Sequence, residues 1–339
     1  MTVTTAIVNY NGAPFLSNCL DSLLAQTHLP AEIVVVDNNS TDDSLAVLEP
    51  YSLKIRTIQT GKNLGFAGAA NIAIRETRSD YFLLMNPDVF LTQNFIERLV
   101  DFAEADSKIG SLTGKLLRFP KDDAVAVIDS TGHSLFRNRW VINRGEGEVD
   151  QGQYEESKEV FGVCGAAAFY RRAMLEDIAV NQEYLDESFF LYLEDVDLDW
   201  RARLRGWKAY YVPTAIGYHQ RGYPNIFKSK NAAVLRHCLK NRYLMMIKNE
   251  VPGDFFMDAW AIIPFELMRF VKFVVTAPRS LIGYYDVIKH LPELCKKRNE
   301  IQKDIRVNRP ERRRWIQRSR FNGFLFERIQ LFLGQTKQF

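Results

Sequence analysis

Cysteine is scarce in this chain, and its four copies (Cys19, Cys164, Cys238 and Cys295) lie far apart. None forms a C-x-x-C pair or another metal-ligand spacing, which argues against a thiolate metal centre and predicts buried thiols in a reducing compartment. No basic segment followed by an apolar core opens the sequence, so no secretory leader is read and a cytoplasmic location is expected. Long uncharged apolar runs are also missing. The most apolar stretch, 255–275, is interrupted by Asp258, Pro264, Glu266, Arg269 and Lys272. A spanning helix needs about 20 apolar residues with few or no charges, so none is expected. The turn after the first strand-like segment reads VNYNGAP, with one glycine. That lacks the G-x-G-x-x-G of a dinucleotide site and weighs against nicotinamide or flavin chemistry.

What is present divides into two halves of opposite charge. Residues 1–229 hold 22 Lys+Arg and 31 Asp+Glu, and the remainder holds 22 and 10. An acidic front suits metal ions or a polar substrate; a basic rear suits anionic lipid or another polyanion. The 339 residues suffice for one large α/β domain plus an appendage.

Short apolar runs alternate with helical patterns through the first 90 residues, as in a parallel sheet covered by helices. Strands are expected at 3–8, 33–36, 54–58 and 81–85, and helices at 15–25, 44–48 and 67–75. Open sheets of this kind bind ligands at the carboxyl ends of their strands. The polar residues there are Asn9-Tyr10-Asn11, Asp37-Asn38-Asn39-Ser40 and Asn86-Pro87-Asp88. Asp37 ends a run of three valines, where a carboxylate can accept hydrogen bonds from a ribose hydroxyl or a base N–H. Ser40 or Thr41 can cap the following helix. In GKNLGFAGAAN the small residues, Gly65 among them, permit close backbone approach, and Asn63 offers both donor and acceptor. Pro87 ends a strand and presents Asp88, which suits a hard divalent cation on diphosphate oxygens.

The densest acidic cluster is Glu194, Asp195, Asp197 and Asp199, after the apolar FFLYL. Carboxylates this close repel unless metal, arginine or substrate offsets them, and a partly dry one can serve as a general base. Residues 195–205 read as a helix with Asp195 as N-cap, and 207–212 as a strand. Asp197–Arg201 and Asp199–Arg203 are expected i,i+4 pairs. His219, downstream of the acidic site, is a candidate further metal ligand. His28, His133, His237 and His290 have no such context and are read as ordinary residues.

Taken in order, VNYN, VVVDNNSTDDS, NLGFAGAAN, LLMNPDV, GAAAFYRR, FFLYLEDVDL, RARLRGW and the histidine resemble family 2 of the inverting glycosyltransferases, and most closely its bacterial rhamnosyltransferase-like branch. The match covers about the first 220 residues. The resemblance implies an α/β GT-A fold, an open, mostly parallel twisted sheet flanked by helices. It implies a nucleotide-sugar donor held by Asn9, Tyr10, Asn11, Asp37, Asn39, Asn63, Gly65, Asn71, Asn86 and Asp88. Mg2+ or Mn2+ would sit on Asp88 and His219. Asn86 replaces the first aspartate of the simple D-x-D pattern. Gly165, Ala166 and Tyr192 would line the acceptor side, with Asp195 as catalytic base and Glu194 supporting it. The expected reaction is inverting transfer, with L-rhamnose from its dTDP donor favoured over a UDP-hexose, onto a glycan or lipid-linked glycan in cell-surface polysaccharide synthesis. A sugar-1-phosphate nucleotidyltransferase would show a glycine-rich, arginine-containing first turn, which is absent. A non-catalytic partner in a polysaccharide assembly complex would have lost Asp88 or the Glu194-Asp195 pair, and both are kept.

The catalytic domain is placed at 1–225 and a helical, basic region at 226–339. Residues 296–320 carry 11 Lys+Arg against 3 Asp+Glu. Three roles are weighed for the rear region: packing on the catalytic domain, peripheral contact with the inner membrane face, or oligomer contact through 255–275. Packing combined with membrane contact is favoured. The basic run has no recognised nucleic-acid motif, so no nucleic-acid partner is expected.

Overall fold

The computed structural model describes residues 1–119, 125–221 and 231–317. Arg318 and Arg320 of the basic run, with the rest of 318–339, lie outside the described residues, as do 226–230 at the start of the expected helical region.

The first half follows its sequence pattern closely. Strands β1 (Val3–Asn9), β2 (Glu32–Asp37), β3 (Arg56–Gln59) and β4 (Tyr81–Met85) alternate with helices α1 (Ala13–Leu24), α2 (Ser44–Leu48) and α3 (Gly65–Arg75). β1, β4 and nearly all of β2 are buried, as uninterrupted apolar runs require when helices cover both sheet faces. Strand β5 (Val89–Leu91) and helix α4 (Phe95–Glu104) follow, then β6 (Ile109–Arg118), β7 (Ile128–Ser130), β8 (His133–Phe136), β9 (Val141–Asn143) and β10 (Lys158–Val160). Strand β11 (Ala167–Arg171) leads into α5 (Arg172–Ile178), α6 (Glu194–Leu204) and β12 (Lys208–His219). The rear comprises α7 (Ala232–Asn249), α8 (Pro252–Thr276), α9 (Ile282–Lys303), α10 (Arg309–Arg314) and β13 (Ile316–Gln317).

The main sheet runs β10-β12-β6-β11-β4-β1-β2-β3, with β5 on β12 and β7 on β6. It is parallel from β3 through β4 and mixed beyond, because β11 enters antiparallel between β4 and β6. Strand β12 shifts register on β6 between Val212 and Ile216. Pro213 in that stretch has no N–H to give the ladder. The irregularity brings the Ala215 carbonyl so close to Gly114 that any Cβ would overlap it.

The rear helices share a hydrophobic core with the front of the molecule: Phe161, Trp200 and Leu204 pack with Leu244, Ile262 and Leu294. Buried ion pairs link the same two regions. Lys248 reaches Asp186 and Asp197, and Lys297 reaches Glu183 and Asp186. Arg139 joins Glu250 to Asp258. Part of the basic run turns inward rather than into solvent. Arg312 pairs with Asp254 and Arg313 with Asp258, while Arg298 donates to the carbonyls of Ile247 and Glu250. The thiols are less uniform than expected: Cys19 is buried, Cys164 and Cys238 are half-buried, and Cys295 is exposed.

Candidate active site

Parallel pairing sets Asn9 beside Asp37 at the carboxyl ends of β1 and β2. The Asn9 amide donates to Asp37 Oδ1 at 2.9 Å and to Ser40 Oγ at 3.1 Å, and the Ser40 N–H donates to Asp37 Oδ2 at 3.1 Å. The Asp37 carboxylate is thereby fixed through both oxygens. Asn11, at φ 54°, donates its N–H to the Ser40 hydroxyl and accepts from the Thr41 N–H. Ser40 and Thr41 therefore tie two loops together instead of capping α2, whose N-cap is Asp43. Tyr10 and Asn39, the latter at φ 66°, are exposed at the rim of these loops.

Asn38 was not singled out from sequence, yet it organises the next segment. Its Nδ2 donates to Asn63 Oδ1 and to the Gly65 carbonyl, both at 3.1 Å, and its Oδ1 accepts from the Leu64 N–H at 2.8 Å. Gly65 adopts φ +73°, and a Cβ there would fall 2.3 Å from the Phe190 carbonyl. The close approach at Gly65 is thus made by the protein's own backbone. Asn71 differs from expectation. It is fully buried, accepts from the N–H groups of Tyr184 and Leu185, and donates to the Leu185 carbonyl and Glu187. Its hydrogen-bonding capacity serves the 184–187 segment, so any influence on a donor pocket is exerted through that segment.

The second part of the site forms where β5 pairs antiparallel with β12, setting His219 opposite Val89 and next to Asp88. His219 Nε2 lies 3.4 Å from Asp88 Oδ1, and its Nδ1 lies 2.8 Å from Asp129 Oδ2. Arg221 pairs with the other oxygen of Asp129, which is fully buried. Burial alone would lower the histidine pKa, but hydrogen bonds and charge from Asp129 and Asp88 raise it to about 9. Burial opposes ionisation of Asp129 too, and His219 and Arg221 outweigh it, keeping its pKa below the usual range. Asp129 has no signal in the sequence, because a lone aspartate in a short strand carries no motif. A buried carboxylate and an imidazole Nε2 converge here, with the other ring nitrogen fixed by a carboxylate, the arrangement that orients metal-binding histidines. With the Nε2 proton given up, Asp88 and His219 fit a divalent cation, which takes that proton's place between them.

Strand β11 links the Asn86 turn to Asp195. Pairing of Met85 with Ala167 sets the Asn86 turn against the strand, and the Asn86 N–H donates to the Ala166 carbonyl at 3.0 Å. The neighbouring Gly165 N–H donates to Asp195 Oδ2 at 2.8 Å, and Asp195 Oδ1 accepts from the Val196 N–H at 2.8 Å. Asp195 is the second residue of α6; the N-cap position belongs to Leu193, at φ 67°. His133, read from sequence as ordinary, places Nε2 3.7 Å from Asp195. Burial pushes its pKa down, with Asp195 opposing.

The four clustered acids have separate fates. Burial first, then the charge of Asp195, pushes Glu194 well above the carboxylate range. Asp197 is neutralised by Arg201 at 3.1 Å and Lys248 at 3.0 Å. Asp199 is not paired with Arg203, which turns to Glu159 and the Phe161 carbonyl. Asp199 instead accepts from the Val163 N–H and Ser111, and burial lifts its pKa to about 8.

The loop before Asp195 has an unusual backbone. Phe190, Tyr192 and Leu193 all adopt positive φ, at 65°, 75° and 67°. Asn241, fully buried on α7, holds it: Nδ2 lies 3.0 Å from the Phe189 carbonyl, 2.8 Å from that of Leu191 and 2.7 Å from that of Tyr192. Tyr192, expected on the acceptor side, is half-buried within this pinned loop.

Residues 4–179 match the family model described as glycosyl transferase family 2. An N-acetylglucosaminyl-diphospho-decaprenol L-rhamnosyltransferase of Mycobacterium tuberculosis is 29% identical over 236 residues, covering 64% of this chain and 75% of that protein. The uncharacterised glycosyltransferase YwdF of Bacillus subtilis is 26% identical over 219 residues, covering 62% and 70%. Among solved structures, S. aureus TarS 1-349 in complex with UDP superposes with a TM-score of 0.53 at 17% identity, covering 90% of this chain and 88% of that one. GalNAc-T7 with UDP, GalNAc and Mn2+ gives 0.56 at 15% identity, covering 73% and 48%. These superpositions establish a shared fold.

Proposed function

From the premise that this chain belongs to glycosyl transferase family 2, we propose that it transfers a sugar, with inversion, from a nucleotide-diphosphate donor to a hydroxyl of a glycan or lipid-linked glycan in bacterial cell-surface polysaccharide synthesis. The observation that carries the reading is Asp195. Its carboxylate is oriented by the N–H groups of Gly165 and Val196, and the Asn86–Ala166 hydrogen bond ties its neighbourhood to the Asp88–His219 pair.

In this reading Asp37, held by Asn9 and Ser40, accepts hydrogen bonds from the nucleoside, while Asn63 and the loops around Tyr10, Asn11 and Asn39 border it. Asp195 takes the proton of the acceptor hydroxyl, and that oxygen forms a bond to the anomeric carbon from the side opposite the leaving group. The carbon–oxygen bond to the diphosphate breaks and the electron pair leaves with the diphosphate. A single displacement of this kind inverts the anomeric centre, through a transition state of oxocarbenium character. Mg2+ or Mn2+ on Asp88 and His219 would act as a Lewis acid toward the charge on the leaving diphosphate. Burial and the charge of Asp195 raise the pKa of Glu194, which disfavours a second negative charge beside the base.

L-rhamnose from dTDP-rhamnose is the favoured donor, supported by the relative named for L-rhamnosyl transfer. Two measurements test the reading. A thermal-shift screen of dTDP, UDP, GDP and their sugars, with and without Mn2+, should raise the melting temperature for one nucleotide class. Asp195→Asn should keep that rise and lose transfer by about a hundredfold or more. Wild-type transfer by the variant would refute the base, and no rise with any nucleotide would favour a non-catalytic role.

A further inference from the structure

Helix α8 carries hydrophobic residues on its outward face as well as on the face that buries Ala261, Ile262 and Phe273. Its protein-facing positions include Asp254 and Asp258, both buried and held by Arg312, Arg313 and Arg139. Its outward stripe is Phe256, Trp260, Ile263, Leu267, Val271 and Val274, spaced by three and four residues as one helical face requires, and all exposed. Three side chains at the start of α9 (Ile282, Tyr285 and Ile288) are exposed with it, Tyr285 and Ile288 at 66% each. Scattered exposed hydrophobes need no explanation, but a continuous stripe with aromatics along one helix marks an interaction surface.

The charges on this surface indicate what covers it. Between residues 255 and 292 the exposed charged side chains are Lys272, Arg279 and Lys289, all cationic. The carboxylates of that stretch are directed elsewhere: Asp258 to Arg139 and Arg313, Glu266 to Arg242, and Asp286 to Arg236. A two-fold contact between copies would set this cationic face against itself. An anionic leaflet attracts each of the three cations and accepts the apolar stripe. No described helix is long and apolar enough to cross a membrane, and the ion-paired inner face of α8 keeps that side on protein.

We propose that the outward face of α8 and the first turns of α9 is a docking surface for an anionic lipid bilayer, with both helices lying in the plane of the interface. A groove of about 730 Å³ bounded by Met246, Phe255, Leu267, Phe270 and Tyr284 adjoins the stripe and offers apolar depth for hydrocarbon chains. Its wall on α7 begins close to the catalytic loop. Met246 is five residues past Asn241, about 8 Å along the helix axis, and Asn241 pins the backbone leading to Asp195. Docking through this face thus sets the bilayer near the acceptor side of the site.

The experiment is flotation of the full chain with phosphatidylglycerol/phosphatidylcholine vesicles and with phosphatidylcholine vesicles alone, at low and high salt. The wild type should float with the anionic vesicles and detach as salt rises. Trp260→Glu combined with Leu267→Glu should weaken binding at least about tenfold, with melting temperature and nucleotide-induced shift unchanged because both residues are exposed. Lys272→Glu with Lys289→Glu, which leaves the apolar face intact, should also weaken binding and remove its salt dependence. Indifference of the wild type to anionic vesicles would overturn the proposal, as would equal binding by well-folded variants. A dimer in light scattering that the Trp260/Leu267 variant dissociates, with no vesicle binding by the wild type, would assign the face to a second copy.

Discussion

Replacing Asn241 with alanine should slow sugar transfer about a hundredfold while leaving donor affinity nearly unchanged. The loop it holds contains three non-glycine residues at positive φ, each costing roughly 1 kcal/mol or more relative to ordinary backbone. Against that cost, the Asn241 amide meets three carbonyls at 2.7 to 3.0 Å with two hydrogens to share. At about 1 kcal/mol net per hydrogen bond the clamp contributes roughly 2 kcal/mol, comparable to the strain it opposes. Alanine removes the clamp and leaves the strain, so the loop relaxes and carries Glu194 and Asp195 with it. A shift of about 1 Å at a reacting group costs about a hundredfold in rate. Asp37, Asn63 and Asp88 make no hydrogen bond to Asn241, so the nucleotide-induced thermal shift should stay close to wild type.

The assay is steady-state transfer beside thermal unfolding: kcat falls, donor KM changes less than about threefold, and the melting temperature drops by a few degrees. Asn241→Asp sharpens the test. It is nearly isosteric but aims a carboxylate at three carbonyls, so it should be worse than alanine. A kcat within twofold of wild type in the alanine variant, or an aspartate variant better than alanine, would refute the clamp.

Two other substitutions probe a carboxylate that carries no motif, Asp129, and one whose partners differ from those its sequence spacing predicts, Asp199. Asp129→Asn should raise the Mn2+ concentration needed for half-maximal transfer about 10- to 100-fold, because it loosens the ring orientation of His219; calorimetric titration of the metal would check this independently. Asp199 has a folded pKa of about 8, above the usual carboxylate range, so its favourable contribution is complete below pH 4 and is lost as pH rises to 8. Asp199→Asn mimics the protonated acid and should narrow the stability difference between pH 5 and pH 8.5 by at least about 1 kcal/mol. Urea unfolding at the two pH values measures that, and an unchanged difference would show that Asp199 does not titrate in this window.

Local pattern decided much of this protein. The valine run of β2, the apolar β4 and the small-residue start of α3 fix the first βα units within a few residues, because periodicity and strand-ending polar residues act over short stretches of chain. The same logic marked Asp37, Asp88 and the acidic start of α6 as candidate chemistry. Helical spacing set Asp197 and Asp199 apart from Asp195 as partners of Arg201 and Arg203, and only the Asp197–Arg201 pair forms. Those side chains acquire different neighbours only when β6, the Gly162–Gly165 segment and α7 arrive from elsewhere in the chain: Ser111 and Val163 for one, Lys248 and Asn249 for another, Gly165 for the third. Asn71 seemed to belong to a ligand and serves a distant loop; His133 seemed ordinary and stands beside Asp195. Asn38 stood among the strand-end residues without a role of its own, and Asp129 and Asn241 gave no signal, because a polar residue's role depends on which backbone or ring it meets, and strand register and helix packing set that. Composition likewise showed that the rear of the chain is apolar and basic. Only tertiary structure turned some of the arginines inward, because the buried carboxylates of Asp254 and Asp258 require cationic partners, and it left one apolar face of α8 outward.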